Sequence, residues 1–189
     1  MEPSRKDVLD ADEVLQLGAS IRSKRRALGL TLVRLAAQSG LSQPFLSQVE
    51  RGEARPSMRS LAAIARALGT TAPALLSLPD SHPMLLLRQQ DGFEVENTGG
   101  SARSLARGRR LLLPMEFIGG PREFQEYNQH EGDEILYVIS GVVEVDLEST
   151  PLQTQRARDS LYYEATRAHR WRVVDAEQVW LLVVANQKH

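Results

Sequence analysis

The chain has no cysteine among its 189 residues, which excludes disulfide bonds, a cysteine redox switch and any metal site built from thiolates. No uninterrupted apolar run approaches the roughly 20 residues that a membrane-spanning helix needs. The N-terminal stretch is acidic and polar and lacks the apolar core of a signal peptide. There is also no Walker loop, dinucleotide-binding fingerprint or ordered Ser/His/Asp set. These absences predict a soluble, cytoplasmic protein of bacterial type without a membrane partner.

Acidic and basic side chains nearly balance over the whole chain, with a net charge of -1, but they are unevenly distributed. Residues 18–78 carry nine basic and two acidic side chains, whereas residues 1–17 and 79–189 are both net acidic. A basic region beside an acidic one is typical of a domain that meets a polyanion, followed by a separate module. The length leaves room for one domain of about 60 residues and another of about 100.

Residues 41–56 predict a short, sharply bounded helix. Ser42 is a good N-cap, Pro44 falls in the first turn, and Gly52 suits a left-handed helix end. Apolar residues at helical spacing can pack inward and leave a polar outer face. That outer face consists of Gln43, Pro44, Ser47 and Gln48. Glutamine side chains can read adenine edges with two hydrogen bonds.

Further helices surround this one. Thr31 can cap a helix over residues 32–38, and Ser39 and Gly40 supply a tight turn before the next. The pattern also predicts helices at residues 21–28, 58–68 and 72–76. Five helices within about sixty residues can bury one common core, so we expect an all-α domain over residues 18–78, behind a flexible tail at residues 1–17.

This arrangement resembles the lambda-repressor-like, or XRE, family of helix-turn-helix domains. The resemblance implies that double-stranded DNA is the partner, with base edges read by the second helix of the motif and phosphates contacted around it. It also implies an internal ion pair between Arg25 and Glu50 that ties the first helix to the recognition helix. The DNA interface implied by the resemblance consists of Thr31, Arg34, Ser42, Gln43, Pro44, Ser47, Gln48, Arg55 and Arg59.

After a Pro-containing linker at residues 79–84, the periodicity changes from helical to alternating. Short strands separated by turns predict an all-β barrel or jelly roll over residues 85–189. The predicted strands cover residues 84–88, 110–118, 124–129, 134–139, 142–148, 160–163, 169–174 and 178–185. No helix is required in this part of the chain.

Two segments make the β module more specific. One is HEGDE at residues 130–134 followed by ILYVISG, and the other is SLYY at residues 160–163 leading to His169. Together they resemble the two motifs of the cupin family, which implies that His130, Glu134 and His169 converge on one metal inside the barrel. Asn128 stands where the family usually has another histidine.

Two histidines and one carboxylate with open positions suit ferrous iron and could also hold manganese, nickel or zinc. The Asn128 amide oxygen would be a poor but possible fourth ligand. The alternative is that the same residues form hydrogen bonds to an organic effector in a barrel without a metal. A carboxylate on such an effector could pair with Arg122 or Arg172, and a cationic group could pair with Glu134.

The order of the two modules resembles the XRE-cupin transcription regulators. That resemblance implies a sequence-specific regulator, a repressor, that binds a pseudo-palindromic operator as a homodimer while its cupin domain binds a small-molecule effector. The alternative is a mononuclear iron oxygenase, since hydroxypropylphosphonate epoxidase has the same domain order and a similar histidine, glutamate and histidine set. The intact basic recognition region favours the regulator, so we expect no enzymatic activity.

Overall fold

The computed structural model describes residues 6–76, 84–89, 94–108, 110–174 and 178–186, so the predicted linker lies outside the described residues except for Met84. Helices come first and strands follow, as expected for two modules. The five helices are α1 (Lys6–Ala27), α2 (Leu32–Ser39), α3 (Gln43–Glu50), α4 (Met58–Ala67) and α5 (Ala72–Leu76). None of the described helices is long and apolar enough to cross a membrane.

Helix α1 is much longer than the predicted helix at residues 21–28, and it occupies most of the segment that was expected to be a flexible tail. That expectation is wrong from Lys6 onward. The physical reason is that Val14 and Leu17 continue the apolar stripe of Ile21 at helical spacing, and all three are buried. Gly18 permits close packing, because a Cβ atom there would lie 2.3 Å from the Val49 carbonyl oxygen at the end of α3.

The helices share one apolar core, and local capping sets where the central two begin. The Thr31 hydroxyl accepts a hydrogen bond from the Arg34 backbone N–H at 3.2 Å, and the Ser42 hydroxyl accepts one from Phe45 at 3.3 Å. Gly40 ends α2 in the left-handed conformation, with φ of 69°. The most deeply buried side chains include Leu35, Leu46, Leu61, Ile64 and Leu75.

The described β module contains nine strands: β1 (Glu94–Asn97), β2 (Gly100–Ser104), β3 (Leu112–Gly119), β4 (Asp133–Ser140), β5 (Val142–Leu147), β6 (Gln153–Arg156), β7 (Ser160–Glu164), β8 (His169–Val173) and β9 (Trp180–Asn186). They form a six-stranded sheet in the order β1-β2-β3-β9-β4-β7 and a three-stranded sheet in the order β6-β5-β8. Every strand pair is antiparallel. The inner faces bury Leu136, Val138, Val143 and Leu181 between the sheets, which confirms the predicted all-β architecture.

Two predicted strands are absent from the described residues. Residues 84–88 form no strand, and Met84 and Leu86 are exposed although they are apolar. Residues 124–129 are irregular apart from a single backbone bridge between Asn128 and His169. The unpredicted hairpin β1-β2 contains few residues that favour strands, and pairing of β2 with β3 holds it in the larger sheet.

The two modules contact each other directly. Helix α4 packs near β1, and α5 packs near β3. Arg107 of the β module pairs with Glu13 of α1, and Arg59 and Arg66 of α4 both lie near Glu126. A ligand bound where the modules meet would therefore contact residues of both.

Candidate DNA-reading face and His/Glu/His site

Helices α2 and α3 form the helix-turn-helix, and α3 presents the polar face that the sequence predicts. Gln43, Pro44 and Gln48 are exposed, whereas Leu46 and Val49 are buried against the core. Ser47 is half-buried, and its hydroxyl accepts a hydrogen bond from the Arg51 guanidinium. The two glutamine side chains are therefore available to a partner, while Ser47 already has one within the chain.

The expected ion pair between Arg25 and Glu50 is present and buried. Two guanidinium nitrogens of Arg25 donate to the two carboxylate oxygens of Glu50 at 2.6 and 2.8 Å, and a third donates to the Leu30 carbonyl at 2.7 Å. The hydrogen bond to Glu50 raises the pKa of Arg25 above its ordinary value. This pair fixes α3 relative to α1, so the recognition face is held on a rigid support.

The other predicted DNA contacts lie around α3 in different environments. Thr31 and Ser42 are exposed at the N-termini of α2 and α3, and Arg34 and Arg55 are also exposed. Arg59 is exposed as well, but its Nη2 lies 3.8 Å from a carboxylate oxygen of Glu126 in the β module.

Arg51 at the end of α3 forms contacts that the sequence did not predict. Its guanidinium donates two hydrogen bonds of 2.7 Å to Glu53, and this hydrogen bonding lowers the pKa of the Glu53 carboxyl. The same side chain holds Ser47. The spacing of Ser47 and Arg51 is the sequence signal that could have indicated the contact between them, because residues four apart share a helix face.

The predicted metal-binding residues come together in the β module. Glu134 lies on β4, His169 begins β8, and His130 lies just before β4. The Nε2 atom of His130 is 3.1 Å from one oxygen of Glu134, and Nε2 of His169 is 4.0 Å from the other. One ligand atom from each residue can be chosen so that all lie within 4.8 Å of one another. These three side chains could hold a metal ion.

Backbone contacts orient both rings. Nδ1 of His130 lies 3.1 Å from the Glu131 carbonyl oxygen, and Nδ1 of His169 lies 2.9 Å from that of Arg167. With Nδ1 protonated, each ring donates to a carbonyl and directs Nε2 toward Glu134. Metal-binding histidines are commonly oriented in this way.

Tyr163 also borders the site, although it is not among the residues predicted from the sequence. It lies directly opposite Glu134 in the β4–β7 pairing, and its hydroxyl donates a hydrogen bond to Glu134 Oε1. Burial, together with the negative charge of Glu134, raises the pKa of Tyr163 well above its ordinary value. The hydroxyl therefore stays protonated and acts as a donor to the carboxylate.

The three predicted ligands shift one another's pKa values. Burial opposes the charge of Glu134, but the hydrogen bond from His130 and the other polar neighbours outweigh burial and lower the pKa of Glu134. Burial also opposes protonation of His130, yet the hydrogen bond and charge of Glu134 raise the pKa of His130. At His169 burial prevails and lowers the pKa. The Glu134 carboxylate thus favours a proton on His130, whereas burial favours a neutral ring at His169 and lowers its pKa.

Asn128 differs from these three residues. It is exposed, and its backbone exchanges two hydrogen bonds of 2.8 Å with His169. Asn128 therefore positions the start of β8, and it lies on the wall of the cavity that His130, Glu134 and His169 also line. Of the two arginines considered for an effector carboxylate, Arg172 pairs with Glu144 at 2.7 Å and Arg122 lies on the exposed surface.

Known proteins match both modules of the chain. The family described as Helix-turn-helix matches residues 21–75, and the family described as Cupin domain matches residues 115–185. The HTH-type transcriptional regulator PuuR of Escherichia coli is 26% identical over 138 residues, which cover 70% of this chain and 75% of PuuR. An uncharacterized HTH-type transcriptional regulator of Mycobacterium tuberculosis is 47% identical over 58 residues, or 31% of this chain, and the chain spans only 41% of that relative's length.

A solved structure shows the same order of modules. The crystal structure of an HTH_3 family transcriptional regulator from Vibrio cholerae aligns with 95% of this chain and 99% of its own, with a TM-score of 0.65 and 20% sequence identity. At this level of identity the alignment shows a shared fold.

Proposed function

We propose, from the helix-turn-helix match at residues 21–75, the cupin match at residues 115–185 and the likeness to PuuR, that the chain is a transcriptional repressor that binds a pseudo-palindromic operator as a homodimer. Helices α1 to α5 form the DNA-binding unit, and the β module binds a small-molecule effector and joins the subunits. The protein acts in the cytoplasm, where its operator is, and it is not an enzyme.

The observation that carries this proposal is the exposed polar face of α3 on a rigid, basic domain. Gln43 and Gln48 face outward, and the buried pair of Arg25 and Glu50 fixes the helix that bears them. Each glutamine amide can form two hydrogen bonds with an adenine edge in the major groove. The excess of basic side chains in residues 18–78 attracts the phosphate groups of DNA. This attraction does not depend on the DNA sequence.

Phosphate contacts would position α3 in the groove. Thr31 and Ser42 stand at helix N-termini, where free backbone N–H groups and the helix dipole favour an anion. Arg34 and Arg55 add exposed positive charge beside them. Pro44 and Ser47 complete the surface next to the bases, with Arg59 at its edge.

Replacing both Gln43 and Gln48 with alanine tests this assignment. Genomic fragments selected by the wild-type protein supply the operator, and titrations compare its affinity with that of random duplex DNA at one salt concentration. Each two-bond contact contributes about 1–3 kcal/mol of discrimination, so the variant should lose most of its operator preference and little nonspecific affinity. Gln38→Ala on the exposed surface of α2 is the matched control. Equal loss on both DNAs would contradict the assignment.

For the β module we propose that His130, Glu134 and His169 hold a divalent ion of iron, manganese, nickel or zinc. The donor set fits such an ion, because one ligand atom from each of two imidazoles and one carboxylate can be chosen so that all lie within 4.8 Å of one another. Asn128 is the proposed fourth ligand. A bound ion would supply a Lewis-acidic position to which an effector can coordinate. Without an ion, the same three side chains would form hydrogen bonds to the effector.

The same two-histidine, one-carboxylate set keeps a mononuclear iron oxygenase as the second candidate function. The regulator is preferred because the exposed polar face of α3, on a basic domain, has no task in an oxygenase. Elemental analysis of protein purified without chelators, combined with sequencing of bound genomic fragments, separates the two. One equivalent of iron with no enriched DNA would support the oxygenase.

A further inference from the structure

A cavity of about 490 Å³ lies between the two modules. The helix-turn-helix side contributes the turn Ser39–Gly40–Leu41 and residues of α4, whereas the β side contributes His130, Glu134 and His169. The volume falls within the roughly 300–1,000 Å³ of typical small-molecule sites. A ligand there would touch the DNA-binding unit and the proposed metal site at the same time.

The wall on the β side includes an apolar patch. Met115 and Phe117 are buried there, and the ring of Phe117 meets Trp171 edge to face with 5.5 Å between centroids. Such a wall favours a ligand with an apolar body, because burial of that body removes apolar surface from water.

Two arginines of α4 line the cavity and share one carboxylate. Glu126 lies 3.8 Å from Arg59 and 3.5 Å from Arg66, and all three side chains are more than half exposed. By contrast, Arg170 and Arg172 on β8 approach their acidic partners to 2.8 and 2.7 Å. Exposed pairs at such long distances are weak. Two guanidinium groups facing one loosely held carboxylate also leave an excess positive charge.

We propose that this interdomain cavity binds a small organic carboxylate, which takes the place of Glu126 against Arg59 and Arg66. The carboxylate meets the two guanidinium groups, and the apolar body packs on Phe117 and Trp171. That the ligand is the effector of the regulator rests on the proposed function. Because Arg59 is also a proposed DNA contact, an anion held there would compete with a DNA phosphate.

Benzoate and hexanoate, with neutral benzamide and hexanamide as controls, test the site in the full chain without DNA. Calorimetry gives the affinities. Trp171 fluorescence reports occupancy in a Trp180→Phe background, because the chain has two tryptophans. Glu126→Gln removes the internal competitor and should tighten carboxylate binding about fivefold. The double variant Arg59→Gln/Arg66→Gln should weaken it at least about tenfold.

Matched variants separate the site from a general effect of charge. Glu123→Gln changes an exposed acid on the same segment, and Arg22→Gln/Arg26→Gln removes two exposed arginines of α1; neither should alter binding. The proposal is wrong if neither carboxylate binds saturably below about 20 mM, if the amides bind equally well, or if the Glu126 and Arg59/Arg66 variants behave like wild type. These outcomes do not depend on DNA, so they are distinct from failure of the DNA-reading assignment.

Discussion

Glu50 and Glu134 are both buried carboxylates, with 7% and 8% of their surface exposed, yet their surroundings differ completely. Glu50 faces the guanidinium of Arg25, whose third nitrogen donates to the Leu30 carbonyl. An arginine stays charged at any accessible pH, so this pair does not exchange protons and holds α1 and α3 together. The helical domain thus uses its buried charge as a fixed internal support.

Glu134 instead faces groups that can exchange protons and partners. His130 and His169 direct Nε2 atoms toward it, and Tyr163 donates a hydrogen bond to one of its oxygens. The group lines a cavity, so an ion or ligand can reach it. Burial of a glutamate does not by itself identify a functional site, whereas the chemistry of its partners and their access to a cavity do.

The matched substitutions Glu50→Gln and Glu134→Gln test this contrast most directly. Glu50→Gln leaves a buried arginine without its counter-ion and should lower the free energy of unfolding by about 3–5 kcal/mol. Glu134→Gln leaves histidines that can become neutral, so the loss should be nearer about 1–3 kcal/mol, as for an unsatisfied polar group. Urea denaturation of the metal-free protein measures both. Equal losses in the free energy of unfolding would show that the partners of Glu50 and Glu134 do not differ in this way.

Proton exchange at the Glu134 site leads to a second prediction. Burial opposes protonation of His130, but the hydrogen bond and charge of Glu134 outweigh burial and raise its pKa, so the ring keeps a proton to a higher pH than an ordinary histidine does. A metal must displace this proton. Ni²⁺ affinity should therefore rise from pH 6.5 to pH 8 by about tenfold per pH unit while His130 is protonated, and calorimetry in buffers of different ionisation enthalpy should detect the released proton.

Two variants identify the residue responsible for the pH dependence. His130→Asn should bind Ni²⁺ more weakly and with a flatter pH profile, whereas Gln129→Asn, an exposed neighbour, should behave like wild type. Wild-type affinity that is independent of pH would mean that no proton is displaced, which would contradict the raised pKa of His130; the affinity of His130→Asn separately tests whether His130 is a ligand.

The helical site was easier to predict than the β site because its signals are local. Thr31, Ser42 and Gly40 mark helix ends through residues no more than four positions away, and the structure confirms these caps. The prediction that Arg25 pairs with Glu50 depended on the resemblance to a family. The long α1 was missed because the acidic residues before Val14 hide the continuation of its apolar stripe.

In the β domain, the two motifs identified His130, Glu134 and His169, which the structure brings together. Tyr163 was not predicted, because its contact with Glu134 depends on the pairing of β4 with β7. Nothing in the local sequence indicates that pairing. The contact of Glu126 with α4 depends on how the modules pack together, so residue spacing could not predict it.

The long contact between Glu126 and Arg59 leads to the smallest effect that we expect, a change in affinity for DNA. If Glu126 competes with DNA for Arg59, Glu126→Gln should raise affinity for both operator and random DNA by up to about fivefold, the scale of one exposed ion pair. The increase should shrink as salt is added, because the gain is one phosphate contact. Glu123→Gln makes the same charge change on the same segment without a partner in α4, so titrations of the two variants separate competition from net charge. Equal gains in both would show that Glu126 does not shield Arg59, and the β domain would then influence DNA binding by another contact.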